Sequence, residues 1–175
     1  MSSKECKERV LKELDKIQNH PDINECFGVD FWDPDAKDPD PLHWQVTLVP
    51  PKGTLYEGGF YKLEVKFPPN YPNCPPRIKF LTKIYHCNIG LENGEICLST
   101  LKEEKWKSTY NMIDVLNHIT VLLYKQNAKD PMNWFMVDEY TNKRNEFEKK
   151  VKEYIDKYAK PQFYEDTSKH YARLT

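Results

Sequence analysis

The chain has 175 residues, enough for one domain with a sizeable core, and 30% of them are charged, with a formal net charge of −1. This near-neutral balance argues against nucleic acid as the main partner. The sequence contains no run of about eighteen apolar residues, and its beginning, MSSKECKERV, lacks the apolar centre of a signal peptide. We therefore expect no membrane partner and a location in the cytoplasm, the nucleus or both.

The cysteines are odd in number and scattered along the chain: Cys6, Cys26, Cys74, Cys87 and Cys97. No CxxC motif occurs, so free thiols in a reducing compartment are the natural interpretation. Some of these cysteines and His86 could in principle converge on zinc, but the sequence lacks the close ligand pair that structural zinc sites usually show. We predict that the protein holds neither a metal nor another cofactor.

An amphipathic helix is predicted over about residues 3–18. Ser2 and Glu5 form a capping box at its start, and the Asn-His-Pro sequence at 19–21 ends it. Its apolar face comprises Val10, Leu11, Leu14 and Ile17. Its outer face carries basic residues mixed with acidic ones: Lys4, Lys7, Arg9, Lys12 and Lys16. Taken alone, this charge pattern indicates a solvated helix face.

Three strands are predicted in the next part of the chain. Apolar and polar residues alternate over residues 44–48 and 61–67, and we expect these two segments to pair as antiparallel strands. The stretch FPPNYPNCPP (67–76) has five prolines in ten residues. Because proline lacks a backbone N–H, this stretch is predicted to be a rigid extended crossing and not a helix. RIKFL (77–81) is the third predicted strand.

Helices are predicted in the last third of the chain, after a long irregular segment. Residues 82–109 show no sustained periodicity, and a segment of this kind inside a domain is usually functional. The helical spacing of apolar residues over 112–123 predicts a buried central helix. Asp130 and Pro131 are a good N-cap and N1 pair for a further helix, and a last amphipathic helix is predicted over about 142–159.

This order of a helix, then strands, then helices predicts an α+β fold with an antiparallel sheet. Neither a repeat nor a linker divides the chain, so we predict one domain over residues 1–160, followed by a short tail over 161–175. The sequence leaves no extra apolar stripe, and we expect a monomer.

The irregular segment contains HCNIGLENGEICL (86–98), in which Cys97 is the candidate nucleophile. A cysteine hydrolase would use His86 as base and Asn88 as orienting amide. An acyl carrier would need only an oxyanion stabiliser and an acidic group beside the thiol. Structural interpretations stay open as well: a small buried thiol for Cys97, a hydrogen-bonding histidine for His86 and a turn former for Asn88. Asp130 is most simply a helix cap.

Several blocks of the chain together resemble the core of the ubiquitin-conjugating enzymes. These blocks are HWQ (43–45), YEGGFYKLEVKFPPNYPNCPP (56–76), KIYHCNI (83–89), GEICL (94–98), KW (105–106) and NAKDPM (127–132). They stand in the family's order over about residues 4–160. The combination of aromatic-P-x-x-Y-P-x-x-P-P with H-x-N and G-x-I-C-L is specific.

The resemblance implies the UBC-like fold: a four-stranded antiparallel meander with an N-terminal helix, a central helix and C-terminal helices. It also implies a transferase that accepts ubiquitin, or a ubiquitin-like modifier, from an activating enzyme as a thioester. Such an enzyme passes the modifier to a lysine of a protein substrate, usually with a ligase. ATP is used by the activating enzyme upstream.

The resemblance also implies roles for individual residues. Cys97 matches the catalytic cysteine, and Asn88 matches the asparagine credited with oxyanion stabilisation or with holding the loop. His86 matches the structural histidine of a His-Pro-Asn motif. Asp130 matches the acidic gate residue that orients the attacking lysine, and Asn127 matches the polar residue before it.

Two surfaces for protein partners are implied. The surface that binds the activating enzyme matches the basic face of the first helix, with Lys4, Lys7 and Lys12. The ligase-facing loops match Asn73, Trp106, Lys107 and Ser108. Many ubiquitin-directed members have an aromatic residue at the first of these positions and Trp-Ser-Pro-Ala in the second loop. Because apolar anchors usually dominate small interfaces, we expect a non-standard ligase, or a modifier such as SUMO or the cullin-modifying protein.

Two departures from the family pattern lie in the site itself. Cys87 replaces the proline of His-Pro-Asn, and we hypothesise that it pairs with Cys97 under oxidation and blocks charging. Nine positions separate Asn88 from Cys97, one more than in the family pattern, which would shift Asn88 relative to the thioester.

An inactive adaptor of the same fold is an alternative, although Cys97, Asn88 and Asp130 together favour an enzyme. Ubiquitin remains the leading modifier.

Overall fold

The computed structural model describes residues 3–162. In chain order the elements are α1 (Ser3–Gln18), α2 (Pro21–Asn24), β1 (Phe27–Phe31), β2 (His43–Leu48), β3 (Tyr61–Lys66), β4 (Arg77–Phe80), α3 (Met112–Tyr124), α4 (Trp134–Asn142) and α5 (Arg144–Tyr158). A short 3₁₀ helix over Ser99–Leu101 lies between β4 and α3. The predicted cap Ser2 and residues 163–175 of the predicted tail lie outside the described residues.

The strands form one antiparallel meander in the order β1-β2-β3-β4, which confirms the predicted α+β class. In the register of β2 with β3, Trp44 lies opposite Val65 and Val46 lies opposite Leu63. All four side chains are fully buried, because every second residue of a strand points to the same face. The predicted pairing of these two segments is therefore confirmed. β4 pairs with β3 as a further antiparallel strand.

β1 is the strand that the residue pattern did not predict. Its first three positions are all buried, so no alternation of polar and apolar residues marks it. Gly28, a residue type that strands disfavour, lies opposite Thr47, whose hydroxyl donates a hydrogen bond to the Gly28 carbonyl at 3.2 Å. Pairing with β2, and not local composition, makes this segment a strand.

α1 lies on the domain through a face that is mostly apolar. Its buried apolar side chains are Cys6, Val10, Leu14 and Ile17. Leu11, which we predicted on this face, is exposed. Glu13 is buried instead, and it accepts hydrogen bonds from the Tyr71 hydroxyl (2.8 Å) and the Met112 N–H (2.8 Å) and pairs with Arg9 (2.5 Å). Because an unpaired buried carboxylate is costly, these partners fix α1 against the start of α3.

α3 is the predicted central helix, and six of its side chains are buried: Met112, Val115, Leu116, Ile119, Leu122 and Leu123. It begins at a capping box in which Asn111 and Asp114 each bond the other's backbone N–H. α5 begins two residues later and ends one residue earlier than the predicted 142–159 helix. The central and last helices are therefore confirmed.

The prediction that Asp130 caps a helix is wrong. α4 begins at Trp134, and Asn133 stands at its N-cap position without a side-chain capping bond. The Asn133 amide instead donates to the carbonyl groups of His86 (2.9 Å) and Ile89 (2.7 Å). Because the chain from 127 to 133 is anchored in this way to the irregular segment, it forms a loop where local sequence favours a helix start. Asp130 is thereby left at the surface of this loop.

Candidate active site

Cys97 lies on a segment that two backbone interactions hold in place. An isolated antiparallel bridge joins Ile89 to Ile96, and the Cys97 N–H donates to the Asn88 carbonyl at 2.8 Å. Leu98, directly after the cysteine, is buried in the core. Cys97 itself is half-buried, on a backbone that these interactions hold in place.

The turn between Asn88 and Cys97 is closed by glycine. Gly94 has φ +69°, and a Cβ at this position would lie 1.9 Å from the carbonyl oxygen of Phe80. The Phe80 N–H donates to the Gly94 carbonyl at 2.8 Å, which fastens the turn to the end of β4. The turn is therefore closed with Asn88 and Cys97 paired through their backbones, and the shift of Asn88 expected from its length stays a prediction.

His86 is buried and has both ring nitrogens bonded. Nδ1 accepts a hydrogen bond from the Asn88 N–H (2.9 Å), and Nε2 lies 3.1 Å from the Leu122 carbonyl, so the proton belongs on Nε2. Burial lowers the pKa of His86 to about 4, which keeps the ring neutral near pH 7. A histidine bonded in this way cannot take a proton from Cys97, and the geometry argues against the cysteine hydrolase.

Asn88 is fully buried, and its side-chain amide holds the loop that carries Asp130. Its Oδ1 accepts from the Asn127 N–H at 2.8 Å. Its Nδ2 donates to the carbonyl groups of Asn127 (2.8 Å) and Asp130 (2.9 Å). Both amide hydrogens are used, so the Asn88 side chain fixes the loop and has no N–H left for an oxyanion in this arrangement.

The side chain of Asn127 is exposed and serves its own loop. Its Oδ1 accepts a hydrogen bond from the Lys129 N–H at 3.2 Å. The backbone of Asn127, by contrast, bonds the Asn88 amide through both its N–H and its carbonyl. Asn127 therefore shapes the loop, while its side chain lies in solvent.

The carboxylate of Asp130 is 45% exposed and has two partners at the mouth of the site. Its Oδ2 lies 2.5 Å from Nζ of Lys102, and the Cys97 thiol is its other neighbour. The ammonium of Lys102, followed by the Cys97 thiol, holds the pKa of Asp130 below its usual range. The structure thus brings together Cys97 and Asp130, which are far apart in sequence, through the loop that Asn88 holds.

The protonation of Cys97 follows from these neighbours. Burial raises the pKa of the thiol, and the neighbouring Asp130 carboxylate raises it further. The ammonium groups of Lys102 and Lys105 act in the opposite direction. The resting site therefore holds a neutral thiol beside an ionised carboxylate.

Lys102 also lies at the site, although its sequence context did not mark it. It follows the 3₁₀ helix, and its N–H donates to the Ser99 carbonyl at 3.2 Å, which directs the residue towards the site. Its side chain is 35% exposed. The available signal was a lysine five positions after Cys97 in LKEEKW, but nothing in that charge-rich stretch distinguishes it from Lys105.

The thiols of Cys87 and Cys97 are both free and have different neighbours. Cys87 is fully buried, its N–H is bonded to Oε1 of Gln126 (2.8 Å), and burial raises the pKa of its thiol to about 11. The carboxylate that acts on the Cys87 thiol is Glu139, whereas Asp130 acts on Cys97. Cys87 is buried and Cys97 is half-buried, and the disulfide hypothesised between them stays a prediction.

The positions that resemble ligase-facing loops meet at one end of the domain. Nε1 of Trp106 donates to the Pro72 carbonyl at 2.6 Å, and its ring packs 6.1 Å from that of Tyr71. Trp106 therefore joins its own loop to the loop that contains Tyr71 and Pro72. The side chains around it are exposed: Asn73, Lys107 and Ser108.

The basic face of α1 lies at the surface, as predicted. Lys4, Lys7 and Lys12 are all exposed, and they point away from the sheet because the opposite face of the helix is buried.

Within residues 3–162, no group of histidine, cysteine or acidic side chains is arranged to hold a metal ion. No helix in that range has the length and apolar character needed to cross a membrane.

Comparison with known proteins agrees with this arrangement. The family described as ubiquitin-conjugating enzyme matches residues 9–155. Ubiquitin-conjugating enzyme E2 14 of Schizosaccharomyces pombe is 34% identical over 154 residues, which cover 87% of this chain and 93% of that protein. The structure of a ubiquitin conjugating enzyme E2 domain from Toxoplasma gondii superposes with a TM-score of 0.75 at 31% identity, covering 87% of this chain and 98% of that one. The chain therefore belongs to the ubiquitin-conjugating enzyme family.

Proposed function

We propose that this chain carries ubiquitin as a thioester on Cys97 and transfers it to lysines of protein substrates. The family gives the general transferase activity. The finer proposal depends on one observation: the half-buried Cys97 lies beside the Asp130 carboxylate, on a loop whose backbone the buried Asn88 amide holds. Ubiquitin is favoured as the modifier because the related proteins are named as ubiquitin-conjugating enzymes.

The first step is a thioester exchange. The sulfur of Cys97 attacks the modifier's thioester carbonyl on the activating enzyme, a new C–S bond forms, and the activating enzyme's cysteine leaves and takes up a proton. The ammonium groups of Lys102 and Lys105 lower the pKa of Cys97 and so favour its thiolate during the attack. ATP is used upstream by the activating enzyme, so the proposal requires no cofactor in this chain.

The second step is attack by an amine. A substrate lysine forms a C–N bond with the thioester carbonyl, the C–S bond breaks, and Cys97 recovers its proton. In the thioester Cys97 no longer has a hydrogen to donate, so the Asp130 carboxylate can accept a hydrogen bond from the incoming amine and orient it. Asn88 contributes by fixing the backbone of Asp130. The donor for the oxyanion is not Asn88 unless its loop bonds rearrange.

The protein partners follow from the surfaces around this centre. The exposed lysines of α1 support binding of an acidic surface on the activating enzyme. The loops joined by Trp106 support binding of a ligase, but Asn73, Lys107 and Ser108 offer polar groups where an apolar anchor would be strongest. This feature favours an unusual ligase, and it is the reason to include SUMO and the cullin modifier in the test.

The test is a charging assay. The chain is incubated with ATP and the activating enzyme for ubiquitin, for SUMO or for the cullin modifier, and the products are resolved on a non-reducing gel. We expect a shifted band with ubiquitin that disappears with thiol reductant. Cys97→Ser should replace it with an oxyester band that resists reductant, and Cys74→Ser, a half-buried cysteine elsewhere, should charge normally.

Other outcomes point to the alternatives. Charging by a different modifier would correct the substrate and keep the mechanism. The absence of a reductant-sensitive band with all three modifiers would overturn the carrier chemistry and favour the adaptor. A chain that charges but releases free modifier faster than it transfers to lysine would favour hydrolysis.

A further inference from the structure

Cys87 has a backbone N–H at a place where it needs a partner inside the protein. The residue is fully buried, and the proline that it replaces in the His-Pro-Asn pattern would have no N–H. Because a buried N–H without a hydrogen bond is costly, the cysteine requires an acceptor that a proline would not. Oε1 of Gln126 is that acceptor, at 2.8 Å from the Cys87 nitrogen, and the Gln126 side chain is itself buried.

A second hydrogen bond determines which end of the Gln126 amide faces Cys87. Nε2 of Gln126 donates to the Tyr56 hydroxyl at 2.8 Å, and that hydroxyl donates in turn to the Tyr85 carbonyl at 2.9 Å. Since the hydroxyl hydrogen of Tyr56 is used in this way, its oxygen accepts and therefore binds the NH₂ end of the amide. The carbonyl end of Gln126 is thereby directed at the Cys87 N–H.

Gln126 lies between the central helix and the 127–133 loop. It follows the end of α3, and Asn127 comes directly after it. The Gln126 side chain bonds the backbone of Cys87. The next side chain after Cys87, that of Asn88, bonds the N–H and the carbonyl of Asn127, both at 2.8 Å. Two neighbouring residues of each segment thus hold each other reciprocally, each pair through one side-chain amide.

The other end of the 127–133 loop is also fixed on Cys87. The Cys87 carbonyl accepts hydrogen bonds from the N–H groups of Met132 (2.7 Å) and Asn133 (3.0 Å). The backbone of this one residue therefore anchors the loop at its start, through Gln126, and at its end. Asp130 lies between the two anchors, so a displacement of Cys87 would shift its carboxylate.

We propose that Gln126 is a positioning residue for transfer, which holds the Cys87 backbone and thereby keeps the Asp130 carboxylate beside the thioester on Cys97. This inference depends on the proposed function, because the effect concerns attack by an amine on that thioester. Gln126 acts through the backbone and not on the reacting atoms. It supplies the acceptor that the N–H of Cys87 requires and that a proline would make unnecessary.

The experiment changes Gln126 and Cys87 singly and together in the full chain. Gln126→Met keeps an unbranched side chain but removes the acceptor, so the Cys87 N–H is left unpaired. We expect single-turnover discharge of the ubiquitin thioester to free lysine to slow by about tenfold, with loading reduced by about twofold at most. Cys87→Pro removes the N–H itself. In that background, Gln126→Met should slow discharge by about twofold at most.

Cys87→Ala is the matched control, because it removes the thiol and keeps the N–H. In this background Gln126→Met should still slow discharge by about tenfold. Single-turnover discharge counts only molecules that have been charged, so a smaller folded fraction does not change the rate. If Gln126→Met does not fold, Tyr56→Phe replaces it: this variant removes the hydroxyl that orients the amide and should slow discharge several-fold, with less effect in Cys87→Pro.

Hydrogen exchange in the uncharged chain tests the same contact without a thioester. Gln126→Met should raise the exchange rates of the 127–133 amides by at least about tenfold, and Cys87→Pro should reverse most of this increase. The amides of β2 serve as the reference, because a general loss of stability would raise their exchange as well.

The two proposals fail in different ways. If the parent chain forms no thioester, the proposed function fails, and unchanged exchange in the 127–133 loop would overturn the anchoring by Gln126 independently. If the parent chain charges, three results would each overturn the role of Gln126 and leave the proposed function standing: equal slowing of discharge in the Cys87→Ala and Cys87→Pro backgrounds, loading slowed as much as discharge, or unchanged loop exchange.

Discussion

The inner and outer parts of the site are built from different kinds of bonds. In the inner part, His86, Asn88 and Asn133 are buried, uncharged and bonded to backbone groups. In the outer part, Asp130 and Lys102 are half-exposed and charged, and they bond each other beside Cys97. Buried neutral bonds are hard to exchange, whereas exposed charged ones exchange readily. The inner part therefore sets positions, and the outer part is free to change partners during a reaction.

Removal of the Asn88 amide should have the largest effect, because the inner part would no longer hold the outer part in position. Asn88→Ala deletes three hydrogen bonds that hold the Asn127–Asp130 loop. We expect transfer from the thioester to free lysine to slow by about 10²-fold, because the Asp130 carboxylate loses its fixed position. Loading of Cys97 should fall much less, since the Cys97 backbone bond is made by the Asn88 carbonyl.

Single-turnover discharge to free lysine measures the effect, and thioester formation in the same sample shows that the variant is folded. Asn73→Ala, at an exposed asparagine, is the control and should discharge normally. Equal losses of loading and transfer would show that Asn88 supports the whole site and not the Asp130 loop in particular.

Protonation of His86 should weaken the inner part and leave the outer part intact. Burial lowers its pKa to about 4 from an unfolded value of about 6.5. The folded state thus favours the neutral ring, so this contribution to stability is complete above about pH 6.5 and is lost as the pH falls towards 4. At about 1.4 kcal/mol for each pKa unit, we expect about 3 kcal/mol of unfolding free energy to be lost over that window.

Urea unfolding between pH 7 and pH 4 measures this loss. His86→Gln should be less stable at pH 7 but show a flatter dependence on pH. His20→Asn keeps a capping side chain at the start of α2 and should retain the slope of the parent chain. A slope that does not change in His86→Gln would assign the acid sensitivity to other groups.

The charge of Asp130 is the feature of the outer part that should matter most for transfer. Asp130→Asn keeps the size of the side chain but removes the negative charge that orients an amine. We expect discharge to lysine to slow by about tenfold or more, with loading nearly unchanged. Comparison of loading and discharge rates in one preparation tests this. Slower loading with normal discharge would contradict the assigned role.

The same contrast explains how much could be predicted from sequence. Period-two alternation predicted β2 and β3, and period-3.6 spacing predicted α3, because each pattern reports directly on a buried face. β1 and the start of α4 are decided by pairing with distant segments, and local composition pointed elsewhere. The buried Glu13 of α1 was missed for the same reason, since its partner Tyr71 lies 58 residues away.

The site shows the same limit. The resemblance to the family singled out Cys97, Asn88 and Asp130, and the structure places these three together, while their roles stay predictions. Lys102 was not found, because a lysine in a charged stretch has no pattern that distinguishes a solvated side chain from one paired at the site. The ion pair of Lys102 with Asp130 depends on where the 127–133 loop folds. The residues around Lys102, 99–105, carry no local signal of that position.

The smallest expected effect concerns the reactivity of the Cys97 thiol. The Asp130 carboxylate raises the pKa of Cys97, whereas the ammonium of Lys102 lowers it. Asp130→Asn should therefore increase the thiolate fraction near pH 7 and speed alkylation by iodoacetamide several-fold, and Lys102→Gln should slow it. Both rates should converge at high pH, where the thiol is ionised in every variant.

The buried thiol of Cys87, with its raised pKa, should stay unmodified in the folded chain and serves as the internal reference. If both substitutions speed alkylation, exposure of the thiol, and not its charge environment, controls the reactivity of Cys97. In that case the outer part would act by shielding the sulfur, and the neutral resting thiol would have to be explained by burial alone.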